Sequence, residues 1–140
     1  MGDINLGRVI LGGLVAGIVT DILGFLVDGV LLADKWNNGL MALGHTDISS
    51  NQIIWFNLLG IAGGIALVWF YAAIRPRFGA GMQTAVCAGL AFWVVDALLP
   101  NLSLMWVTGL FSHRLTAYTT AAGLVECVAA AVAGAALYKE

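Results

Sequence analysis

The sequence predicts an all-α integral membrane protein, a single domain built as a four-transmembrane-helix bundle. Three observations lead there. Of 140 residues only six are Lys or Arg and eight are Asp or Glu, against a hydrophobic share of 61%. A soluble domain carries about 25% charged residues, so this chain has too little polar surface to cover a water-facing globule, and a mean hydropathy of +0.94 agrees. The apolar residues also gather into four stretches, each as long as the roughly 20 residues a helix needs to cross a hydrocarbon core of about 30 Å. Finally, none of them alternates apolar and polar residues as barrel strands do. The same composition excludes disorder, and a net charge of −2 offers no basic footprint for nucleic acid.

The first span is expected over residues 6–32. Arg8 ahead of an apolar run resembles the start of a signal peptide, but no small-x-small cleavage site follows and the run contains Asp21 and Asp28. It reads as a retained span. Residues 34–52 read as a polar loop with Asn37, Asn38, Gly39, Gly44, His45 and Asp47, closing on a stretch from Thr46 to Asn51 rich in helix-capping residues. The second span is expected over 53–74, followed by a tight basic turn at Arg75, Pro76 and Arg77. The third is expected over 78–99, where Pro100 breaks it; 100–112 is then an apolar segment lying at the interface, the favoured reading, or a kinked continuation of the third helix. The fourth is expected over 115–138.

With four spans, both termini and the second connection share one side of the membrane. That side carries Arg8, Arg75, Arg77 and Lys139, while the other carries Lys35 and Arg114. The excess of basic residues places both termini in the cytoplasm, with Trp36, Trp55 and Trp106 near the opposite interface.

Each span carries a stripe of small and polar residues at helical spacing. On the first it is Gly13, Gly17, Asp21, Gly24 and Asp28; on the second Asn57, Gly60, Gly64 and Tyr71. The third has Gly81, Ala85, Gly89, Trp93 and Asp96, and the fourth has Thr119, Gly123, Glu126, Ala130 and Gly134. In lipid, helices associate through close packing of small residues and through interhelical hydrogen bonds, so these faces are expected to point into the bundle or a protein interface, away from lipid. The helix-packing residues are then Gly13, Gly17, Gly60, Gly64, Gly89, Gly123 and Gly134. Gly13 to Leu23 and Ala88 to Leu98 also match at a constant offset, which permits two helical hairpins in parallel repeat.

Asp21, Asp28, Asn57, Asp96 and Glu126 form the candidate intramembrane polar site. No Lys, Arg or His lies deep in a span to pair with the acids. Ionisable residues in a membrane mark ion or proton pathways, but carboxyl groups can equally hydrogen-bond across helices and hold a bundle together. No other chemistry is legible. His45 and His113 have no metal-ligand spacing, Cys87 and Cys127 read as small packing residues, and no nucleophile, zinc or phosphate-loop motif is present. No catalytic residue, metal or cofactor is expected, and the chain reads as a non-enzyme.

Val-Leu-Leu-Ala-Asp-Lys-Trp at 30–36 and Tyr-Ala-Ala-Ile-Arg-Pro-Arg-Phe-Gly at 71–79 resemble small uncharacterised bacterial four-span inner-membrane proteins. The resemblance implies a bacterial inner-membrane location and supplies no catalytic residues. The expected role is that of an accessory or scaffold subunit of a larger membrane complex, or of a homo-oligomer, in contact with membrane lipids and other membrane subunits. The alternative is a small proton or cation transporter using Asp28, Asp96 and Glu126.

Overall fold

A computed structural model describes residues 4–45 and 48–139. Within them lie four helices long and apolar enough to cross a membrane: Leu6–Leu31, Ser50–Phe78, Met82–Thr108 and His113–Leu137. The first consists of α1 (Leu6–Gly24) and a π-helical segment, Phe25–Leu31; a short α2 (Ala33–Ala42) follows it. The second is α3 (Ser50–Phe78), unbroken. The third is composite: α4 (Met82–Trp93), a π segment (Val94–Leu98), α5 (Leu99–Leu102) and a further π segment (Ser103–Thr108). The fourth is α6 (His113–Leu137).

Helix starts follow the local chemistry. The Asn5 side chain accepts from the Arg8 amide at 3.1 Å, and the Ser112 hydroxyl accepts from the Leu115 amide at 3.3 Å. At α3, the Ser49 hydroxyl accepts from the Gln52 amide while the Gln52 side chain accepts from the Ser49 amide at 2.8 Å, a reciprocal capping box. The cap-rich stretch thus starts α3 at Ser50; its Thr46 and Asp47 lie outside the described residues.

Several helix limits differ from the sequence expectation. Arg75, Pro76 and Arg77 are the last turn of α3 and not a connection. Pro76 forgoes one ladder bond, but the helix continues to Phe78, and the Gly79 amide closes it on the Arg75 carbonyl at 2.8 Å. The true turn uses Gly79 (φ 84°) and Gly81 (φ 130°), conformations that suit glycine. Phe78 accordingly ends the second long helix instead of opening the third. Pro100 does not end the third helix either. The turn before it is widened, with the Leu99 amide reaching back five residues to Val94, and the extra width accommodates a ring that would crowd the carbonyl four residues earlier. Residues 100–108 therefore continue the helix, and Gly109 (φ 62°) stops it. The polar stretch 34–52 is in part helical, as α2.

α1 and α6 form the centre: α1 packs on α3 and α6, and α6 packs on α4. Their closest approaches are made by glycines. A methyl group at Gly64 would meet the Gly13 carbonyl at 2.5 Å and the Gly17 backbone. One at Gly12 would meet the Gly134 carbonyl at 2.6 Å, and one at Gly89 the Val128 Cα at 2.8 Å. The buried core, with Ala16, Leu67, Val68, Ala88, Ala130 and Ala131, fills the half of the bundle where the chain enters and leaves. Tyr71 and Tyr138 close that end, edge to face at 6.0 Å. The Tyr138 hydroxyl accepts from the Asn5 amide and the Tyr71 hydroxyl from the Gly81 amide, both at 3.3 Å, and the Arg75 guanidinium stands 5.4 Å from the Tyr138 ring.

Candidate functional site

The opposite half of the bundle is built differently. From Ser50 to Leu59 every residue of α3 is exposed, whichever way it points, and burial begins only at Gly60. α3 packs on α1, α6 and α4; beyond those contacts its first turns stand away from the rest of the bundle. The acids lie in this open half.

Two of them are carried by π segments. In Phe25–Leu31 the Leu32 amide donates to the Val27 carbonyl at 2.8 Å, a five-residue reach that swings Asp28 into place. The chain then folds back through α2, whose Trp36 indole donates to an Asp28 carboxyl oxygen at 3.0 Å. Phe111 holds that indole edge to face at 5.3 Å. The second π segment, Val94–Leu98, carries Asp96. The turns flanking it are tied to α6: the Trp93 indole donates to the Thr120 carbonyl at 2.8 Å, and the Asn101 amide donates to the Thr120 and Thr119 hydroxyls at 2.9 and 3.3 Å. Asp28 and Asp96 are both near enough to Glu126 of α6 to act on it electrostatically. One Glu126 oxygen, Oε1, is buried with no hydrogen-bond partner.

The five candidate residues therefore separate. Asp28 and Asp96 lie within electrostatic range of Glu126 in the open half, without the three converging closely. Asp21 lies seven residues before Asp28, about two helical turns deeper, its carboxyl resting on the surface left bare by Gly60. Asn57 stands apart, donating only to the Ile53 carbonyl of its own helix at 2.7 Å. Asn57 and Asp96 are exposed and so do not point into the bundle of a single chain, which leaves a protein interface as the expectation for these two. For Asp96 the cause is the π segment. The additional residue in the wide turn rotates the side chains beyond it, so that Ala97, not Asp96, meets Gly123 of α6. For Asn57 the cause is the divergence of α3. Its face is the upward continuation of the one that packs Gly60, Ile61 and Gly64 on α1, but at Asn57 that face is exposed.

Asn101 and Thr120 were not among the residues the sequence pointed to. The trace of their role in the sequence is the eight-residue step from Trp93 to Asn101, both of which reach α6; with one residue inserted by the π segment, that step keeps one face. Among the described residues no three His, Cys, Asp or Glu side chains converge closely enough to hold a metal ion. The acids are suited to exchanging protons, or to bonding an amide or hydroxyl, more than to caging a cation. In comparisons with family models, curated proteins and solved structures, the chain matches none.

Proposed function

We propose that this multi-pass membrane protein is not an enzyme and works by association: as an accessory or scaffold subunit of a larger bacterial inner-membrane complex, or as a homo-oligomer. The observation that carries the reading is the open flank. Asn57 and Asp96 are exposed at membrane depth, where lipid satisfies neither a carboxyl nor an amide, so a protein surface belongs there. Both termini on the cytoplasmic side fit the distribution of charge, with Arg8, Arg75, Arg77 and Lys139 at one end against Lys35 and Arg114 at the other. The inner-membrane assignment rests on the likeness of the two sequence strings. Purification in a mild detergent followed by native mass measurement tests the association. A complex larger than one 14.7 kDa chain supports it, and a protein that stays monomeric in both detergent and nanodiscs, with nothing copurifying, overturns it.

A second reading is supported by one specific observation, the unpartnered Glu126 oxygen, within electrostatic range of Asp28 and Asp96. A carboxyl with an unused acceptor and two further acids within electrostatic range can serve as a step on a proton path. Reconstitution into liposomes loaded with a pH-sensitive dye tests it. Proton flux abolished by Glu126→Gln supports conduction, and the absence of flux from the unaltered protein rejects it.

A further inference from the structure

The half of α3 whose residues are all exposed, Ser50–Leu59, has the composition of a packing face. Ile53, Ile54 and Leu58 are 52–56% exposed and surround Asn57, whose side chain spends one N–H on Ile53 and keeps its second N–H and its carbonyl free. On the third long helix, Val95 and Leu99 are likewise exposed, 69% and 55%, and stand beside Asp96. Each surface is an apolar patch with one polar group in it, and the two polar groups are complementary, because an amide can donate to a carboxyl group in either of its protonation states.

They also lie at the same depth. Val68 of α3 and Gly134 of α6 meet in the core. Asn57 is eleven residues above Val68, and Gly123, which abuts Ala97, is eleven residues above Gly134. At 1.5 Å per residue, Asn57 and the Asp96–Ala97 turn are both about 16 Å from that common level. A two-fold axis along the membrane normal leaves depth unchanged, so two groups at one depth can meet twice across such an axis.

We propose that the open flank is covered by a second copy of this chain, the bare half of α3 in each copy packing against the Val94–Leu99 region of the other, with the Asn57 amide donating to Asp96 of the partner subunit. The inference rests on the association reading above and specifies its partner and contact. A lipid chain would cover Trp55 and Phe56 equally well but would leave Asn57 and Asp96 unsatisfied, whereas a two-fold dimer satisfies both pairs with one contact repeated.

The test uses full-length protein in native membranes, with Cys87→Ser and Cys127→Ala removing the native thiols. One tagged copy carries Asn57→Cys, a differently tagged copy carries Asp96→Cys, and the two are coexpressed and oxidised with copper phenanthroline. The expected result is a disulfide-linked species bearing both tags. Trp69→Cys, exposed on the other half of α3, is expected to give none when paired with Asp96→Cys. Cross-linking at equal yield in both pairings indicates random collision and overturns the proposal. A native mass of two chains without the Asn57–Asp96 link overturns this contact while leaving association intact; a single-chain mass with no link and nothing copurifying removes both. As an independent measurement, Asn57→Leu is expected to weaken dimerisation about threefold to tenfold, in line with interhelical hydrogen bonds in membranes, whereas Asp96→Asn, which still accepts from an amide, is expected to retain it. An unchanged dimer constant for Asn57→Leu also overturns the proposal.

Discussion

Gly64 and Gly63 are neighbours in sequence with opposite surroundings. A methyl group at Gly64 would press on the Gly13 carbonyl and the Gly17 backbone, while one at Gly63 would meet nothing within 4 Å. Gly64→Ala is therefore expected to destabilise the bundle by about 1–3 kcal/mol through overpacking, and Gly63→Ala to stay within about 0.5 kcal/mol, both read from reversible unfolding in mixed micelles. Equal losses would mean that the helix backbone, not the approach of α1 and α3, sets the cost. Asn101 is a second test case. Asn101→Leu removes both bonds to Thr119 and Thr120 and is expected to cost about 1 kcal/mol by the same measurement, in the range of interhelical bonds in membranes. The sequence made the glycine stripes visible because small residues at regular spacing are a local pattern. It did not mark Gly12, one position off the stripe yet as close to Gly134 as any, nor Asn57 as unpartnered. Which residues find a neighbour depends on how helices diverge, and no local pattern records divergence.

Among the elements, four apolar helices were legible from length alone, since a stretch of more than 20 apolar residues has few other uses. Their limits were not. Proline reads as a terminator in an α-helix, yet Pro76 lies in a last turn and Pro100 follows a widened one. A reading at 3.6 residues per turn also misplaces every residue after a π segment, because the wide turn absorbs one residue and restarts the periodicity. Such an inserted residue can be removed without disturbing the helix on either side. Deletion of Val95, exposed and inside the π segment, is expected to leave the protein folded, with Trp93 and Asn101 still facing α6. Deletion of Ala88, fully buried in α4, is expected to abolish folding. Thermal unfolding followed by tryptophan fluorescence distinguishes them, and similar losses for both would contradict the account of the π turn.

For the molecule as a whole, the arrangement of four helices fixes which connections share an end. With the termini cytoplasmic, as proposed, a membrane-impermeant maleimide applied to intact cells is expected to label Asn38→Cys and not Arg77→Cys in the thiol-free background; the reverse would invert the topology. The distribution of buried residues, concentrated around Val68, Tyr71 and Tyr138 and fading toward Ser50–Leu59, has a consequence for the bilayer itself. In a bilayer, helices packed at one end and less packed at the other would occupy unequal areas in the two leaflets, giving the protein the form of a wedge, broad on the side of α2 and narrow on the side of the tyrosines. A wedge lowers the bending energy of a membrane that bulges toward its broad end. Protein reconstituted with that end in the outer leaflet should therefore gather on small, strongly curved vesicles in preference to large, flat ones, and fluorescence per unit membrane area, measured vesicle by vesicle, would register the shape directly.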